Sequence, residues 1–206
     1  MHGYADQLVL GADSQALPGR RRREARARWA ADHPTAVATI TLFNIGVMPG
    51  YRWHIYARGW RTAILGELMM AAMPGQLFQM MLQREQPLPF PAAFIERMRD
   101  ELDSGTKRAA LALYRATPDW GALSVELGDK LAALQLPALV IWGEADRNLP
   151  VTYAAKQASY FAVQGVHILA NCGHWPFIDD TARCSSLLCA FLREYVSGGC
   201  PVISSQ

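Results

Sequence analysis

Short apolar runs alternate with longer amphipathic stretches through the second half of the chain. Pro137 opens the run Ala138-Leu139-Val140-Ile141-Trp142, too short for a helix and rich in strand formers, and Gly143 after it permits a sharp turn. The pattern predicts a buried parallel strand. A second run, Val166-His167-Ile168-Leu169, predicts its neighbour, and a third lies at about Ala38–Phe43, ending in Asn44-Ile45-Gly46. Leu8-Val9-Leu10 predicts a further short strand that ends in a turn. Amphipathic helices are expected over Trp120–Leu134, Val151–Phe161 and Thr181–Val196, the last turning Leu187, Leu188, Phe191 and Leu192 toward the sheet. Strands alternating with helices in this way predict an α/β parallel sheet flanked by helices.

Residues 47–119 interrupt that alternation. They are rich in aromatic residues and methionine, and Phe94, Ile95, Met98 and Leu102 recur at helical spacing. Pro87, Pro89 and Pro91 divide the stretch into two helical parts. An inserted helical lid is the expectation, with Trp53 and Trp60 as candidate pocket residues. The alternative for both is ordinary core, the commoner fate of aromatic residues at helical spacing. Trp175 is a third pocket candidate.

Open α/β sheets keep their chemistry just past the carboxyl ends of the strands. Glu144 and Asp146 follow the first run, and Cys172-Gly173-His174-Trp175-Pro176 follows the second. An aspartate and a histidine ending neighbouring strands are two parts of a nucleophile, base and orienter system. Asp146 is the first candidate for the orienting acid, with Glu144 the alternative. Cys172 belongs to the histidine's own loop, so its reach as a nucleophile is poor.

The strand, the GEAD segment, the intervening helix, the strand ending in CGHWP, Asp179-Asp180 and the closing helix with Phe191-Leu192 resemble the C-terminal part of an α/β-hydrolase. Haloalkane dehalogenases and epoxide hydrolases are the types it is most similar to. The resemblance implies that His174 is the general base and Asp146 its orienting acid. Upstream, Trp29-Ala30-Ala31-Asp32-His33-Pro34 and the strand after it are similar to the helix that follows the nucleophile and to the next strand, so the resemblance covers roughly Trp29 to Val196. Such a sheet has about eight strands, whereas three are clear here and a fourth is weak, so a truncated sheet is expected. The G-x-S-x-G or G-x-D-x-G elbow is not visible. Asp13 is the one place for a nucleophile: Gly11 supplies the small residue two before it, but Gln15 fails the requirement two after.

At 206 residues the chain is long enough for one domain with a substantial core. A net charge of +2 singles out no nucleic-acid partner, although Arg20–Arg28 concentrates arginines into a block unlike the rest of the surface. Residues 1–28 form an atypical Arg-rich segment, 29–196 a partial α/β-hydrolase domain with its lid at about 47–119, and 197–206 a flexible tail. The four cysteines lack CxxC spacing and no secretory apolar region follows Met1, which predicts reduced thiols and a cytoplasmic protein. No metal or cofactor site and no membrane span is expected. The partner is a small-molecule substrate, and a second copy is expected to cover an exposed sheet edge. The function expected is hydrolysis of a small ester, epoxide or carbon–halogen substrate by nucleophile-His-Asp chemistry, impaired for want of an elbow. The alternative is a non-catalytic binding protein that uses the lid pocket or the arginine-rich arm.

Overall fold

The apolar runs become neighbouring strands. In the computed structural model, which describes residues 7–10, 37–72, 75–84, 86–117 and 119–195, β1 (Gln7–Leu10), β2 (Ile40–Phe43), β3 (Pro137–Gly143) and β4 (Ala162–Leu169) form one sheet in that order. β2, β3 and β4 run parallel, with Phe43 level with Ile141 and Gly143 level with Leu169, so their carboxyl ends share one rim. All of β2, and all of β3 beyond Pro137, is buried. That burial explains why these runs are continuously apolar rather than alternating.

Successive side chains serve two cores, as the strand period of two requires. Ile40, Leu42, Ala138, Val140 and Trp142 pack with Leu131, Leu149, Ala154 and Phe161 on one side. Phe43, Leu139, Ile141 and Leu169 pack with Cys172, Cys184 and Phe191 on the other.

The connection from β2 to β3 is helical. It holds α1 (Ile55–Arg61), α2 (Leu65–Ala71), α3 (Gly75–Arg84), α4 (Ala92–Glu101), α5 (Ser104–Ala116) and α6 (Trp120–Ala132). Aspartates cap two of these: Asp103 accepts from Thr106 N at 2.6 Å and Asp119 from Ala122 N at 3.0 Å, satisfying backbone donors that the first helical turn leaves open. Ala57, Trp60, Met70, Phe90, Ile95, Met98, Leu111, Tyr114 and Trp175 form the core of this helical region. Arg115 grips both oxygens of Glu67, at 2.6 and 2.8 Å, and so ties α5 to α2.

Beyond β3, α7 (Thr152–Lys156) passes into a 3₁₀ turn at Gln157–Ser159 instead of continuing to Phe161. The Gln157 side chain turns inward there, accepting from Val47 N at 2.8 Å and donating to Val47 O and Tyr153 O at 3.0 and 2.8 Å. A Cβ on Gly46 would lie 2.0 Å from its Oε1, so glycine is required where the loop after β2 meets it. β4 begins at Ala162, four residues before the expected strand, because Gln164-Gly165 interrupts the apolar run without interrupting the pairing; the register shifts between Ala138 and Leu139. The closing helices are α8 (Pro176–Asp179) and α9 (Thr181–Tyr195). Val166 and Ile168 are exposed on β4, at the margin of the sheet.

Two expectations are corrected. β1 is a strand but runs antiparallel to β2, with Gln7 beside Phe43 and Leu10 beside Ile40. An apolar tetrapeptide does not encode the direction in which it pairs. The chain therefore leaves β1 at the end of the sheet opposite the rim. Asp13, the segment from Trp29 to Pro34, the arginine block and the tail at 197–206 lie outside the described residues. Cys172 and Cys184 are free thiols as expected, but Cys189 is disulfide-bonded, since spacing that excludes a metal site does not exclude a pair. No helix among the described residues is long and apolar enough to cross a membrane.

Candidate active site

The loop after β3 is closed by its own strand. Trp142 Nε1 donates to Leu149 O at 3.1 Å across a buried span, and the Asp146 amide reaches back toward Gly143 O at 3.3 Å. This holds Asp146 at the rim, buried. The loop after β4 is bound to it directly, with Glu144 N donating to Leu169 O at 3.0 Å and Ala145 N to Cys172 O at 2.9 Å. The two loops pass so closely that a Cβ on Gly143 would lie 2.1 Å from Gly173 O and 2.5 Å from Cys172 O. Asn171 turns the second loop with a positive φ of 61°, a conformation asparagine tolerates better than most residues. Asp179 then fixes Gly173 by accepting its N–H at 2.7 Å.

These constraints bring His174 Nδ1 to 2.8 Å from Asp146 Oδ2, with both side chains almost wholly buried. The carboxylate is fully engaged. Its Oδ2 also accepts from Asn44 Nδ2 at 2.5 Å, and its Oδ1 accepts from the backbone amides of Asn148 and Leu149 at 2.7 and 2.9 Å. Burial alone pushes the Asp146 pKa up. The His174 charge and hydrogen bond, the Leu149 amide and the Asn44 side chain outweigh it and hold the acid below the usual carboxylate range. An ionised Asp146 accepts a hydrogen bond from Nδ1–H, which sets the tautomer and makes Nε2 the basic nitrogen of His174.

Asn44 is the residue whose part in this arrangement was not foreseen. It ends β2 with φ +47°, and its side chain bridges two strands, donating to Asp146 while its Oδ1 accepts the Gly143 amide at 2.8 Å. A strand ending in asparagine at the same rim was the available signal. Asp179 was visible only as part of an acidic pair.

Of the other candidates, Glu144 is exposed and Asp146 takes the place beside the imidazole. Trp175 is buried with its ring 5.2 Å from Phe90. Trp60 is wholly buried in the core of the helical region. Trp53 is partly buried, edge-on to Tyr51 and Tyr114, with Arg61 over its ring at 5.6 Å. Burial and the charges of Asp179 and Asp180 raise the Cys172 pKa to about 11, so it is a thiol at neutral pH and a poor nucleophile. An open cleft of about 700 Å³, lined by Tyr51, Arg52, Asp119 and Glu126 among others, includes neither Asp146 nor His174. Among the described residues no three potential ligands gather as a metal site would require.

His54 caps α1, its Nδ1 accepting from Ala57 N at 3.3 Å. Burial, and then the charge of protonated His174, lowers its pKa from 6.5 to about 4. Between those values the unfolded chain holds a proton that the folded chain lacks, so stability falls as pH drops from about 6.5 to about 4 and levels off below. The expected loss is about 3 kcal/mol. His54→Asn keeps a capping acceptor and should flatten that limb in urea titrations; an unchanged slope would show that His54 does not cause it.

No family model matches the chain. Over 96 residues it is 30% identical to 2-hydroxy-6-oxononadienedioate/2-hydroxy-6-oxononatrienedioate hydrolase from Burkholderia vietnamiensis, a match covering 47% of this chain and 31% of that protein. Over 64 residues it is 36% identical to 2-hydroxymuconate semialdehyde hydrolase from a Pseudomonas species, covering 31% of this chain and 23% of that one. The matched segments therefore span about a third or less of these relatives' lengths. Among solved structures, haloalkane dehalogenase from Bradyrhizobium elkani superposes with a TM-score of 0.68 at 19% identity, over 83% of this chain and 64% of that one. A meta-cleavage product hydrolase from Pseudomonas fluorescens superposes with a TM-score of 0.59 at 15% identity, over 83% and 61%. These likenesses carry the fold.

Proposed function

Because this chain belongs by its fold to the α/β-hydrolase superfamily, we propose that it carries the general base and orienting acid of a hydrolase acting on a small ester, epoxide or carbon–halogen substrate. The buried 2.8 Å contact between His174 Nδ1 and Asp146 Oδ2 is the observation that supports this most directly. In this scheme His174 Nε2 takes a proton from a nucleophilic hydroxyl or from the hydrolytic water, returning it to the departing alkoxide of an ester, whereas a halide leaves as the anion without it. Asp146 keeps the imidazole in the productive tautomer and stabilises the imidazolium that forms. Asn44 and the Asn148 and Leu149 amides hold the carboxylate in the one orientation that serves the imidazole.

The nucleophile is not assigned among the described residues. Asp13 remains the candidate from the sequence and lies outside the described residues. The helices between β2 and β3 lie beside the base, since Trp175, next to His174, packs into their core. The test is hydrolysis of 4-nitrophenyl acetate and halide release from 1-bromobutane by the purified chain, with His174→Ala in parallel. Turnover that disappears in the variant is expected; turnover that survives it would remove His174 from the chemistry.

A further inference from the structure

Resting on that functional assignment, the structure points to the kind of acyl group the site accepts, through a side chain the chemistry above does not use. Gln86 lies in the short turn between α3 and α4 and is 5% exposed. Among the described residues, neither its amide oxygen nor its amide nitrogen has a hydrogen-bond partner. It is pressed against the catalytic loop: a Cβ on Gly173, the residue before His174, would lie 2.4 Å from Gln86 Oε1 and 2.6 Å from Pro87 Cδ. The turn is held chiefly through side chains. Gln83 donates to Leu88 O at 3.1 Å and accepts from Phe90 N at 3.2 Å, Arg147 donates to Arg84 O at 2.8 Å, and the Phe90 ring packs on Trp175.

A carboxamide held beside the base with both polar atoms unpaired is costly to the empty protein, because burial removes two hydrogen bonds to water and returns none. That cost is recovered if substrate supplies the partners. We propose that Gln86 is a specificity-determining residue whose carboxamide binds the hydroxyl and carbonyl of an α-hydroxy acyl substrate. Oε1 requires a donor and Nε2 an acceptor, close together. A plain ester offers acceptors only. A free carboxylate also lacks the donor and would bring negative charge toward Asp146 and Asp179. A hydroxyl one carbon from the reacting carbonyl offers both groups, and Gln86 lies against the residue before His174. Both amide atoms are sealed from solvent in the empty protein, so the substrate meets them as the turn at residues 86–90 yields. Pro87 and Pro89 have no N–H to donate, so the Gln83 side-chain bonds and the Gln86 N–H bond to Gln83 O are what that opening must break.

Methyl lactate and methyl isobutyrate have nearly the same shape and differ in one hydroxyl. Binding of each to the full chain, followed by ligand-observed NMR, is expected to favour methyl lactate by about tenfold, the effect of one net hydrogen bond. Gln86→Met, or Gln86→Leu if that variant expresses poorly, is expected to abolish the preference and to raise the melting temperature of the ligand-free protein. A preference that persists in the variants, or a variant that melts lower, would overturn the assignment. Because binding is read directly, a Gln86-dependent preference without turnover of either ester supports this inference while removing the hydrolase assignment. Turnover of both esters with no effect of Gln86 does the reverse.

Discussion

Asp146→Asn is expected to cost about 3–5 kcal/mol of stability at neutral pH, although it replaces a single atom. All four bonds to Asp146 come from donors: Asn44 Nδ2 and His174 Nδ1 on one oxygen, the Asn148 and Leu149 amides on the other. An amide keeps one acceptor: with its NH₂ toward His174 and Asn44 it orphans Asn44 Nδ2 and forces the imidazole into the tautomer whose Nδ1 accepts, and flipped it orphans the Asn148 and Leu149 amides. Acid unfolding provides a second signature. The Asp146 pKa is lowered in the folded protein, so its contribution is fully present above about pH 4 and is lost as pH falls through the lower folded value. The variant should lack that part of the acid limb. Urea denaturation across pH reads both; a loss under about 1 kcal/mol would mean that the carboxylate is not held as described.

Trp60→Ala is expected to cost a similar amount, about 3–5 kcal/mol, and for a different reason. The indole is wholly buried, with ring centroids of Tyr114, His54 and Tyr56 at 5.2, 6.0 and 6.3 Å. Removing it empties the centre of the helical core. A tryptophan lining an open pocket would be replaced at far smaller cost, so denaturation of this one variant separates the two roles that the sequence left open.

The parts that were legible in the sequence are those with a local signature. β3 reads as apolar because both of its faces are covered, and Gly143 marks its end because another backbone passes within 2.1 Å of where a Cβ would stand. Asp146 and His174 follow their strands directly, so the rim could be located before any pairing was known. What escaped depends on distant contacts. The register shift in β4, the direction of β1 and the inward turn of Gln157 are decided by neighbours more than a hundred residues away or across the sheet, and no window of sequence contains them. Asn44 escaped for the same reason: its role exists only once β2 and β3 are aligned.

The separations along the chain between the interacting groups carry an order of assembly. Asp146 and His174 are 28 residues apart, whereas Asn44 is 102 residues from the carboxylate it braces. Closing a short loop costs less entropy than closing a long one. The acid and base can thus find each other while β3 and β4 pair, and the asparagine clamps them afterwards, once the helical excursion between β2 and β3 has folded back and brought its distant end home.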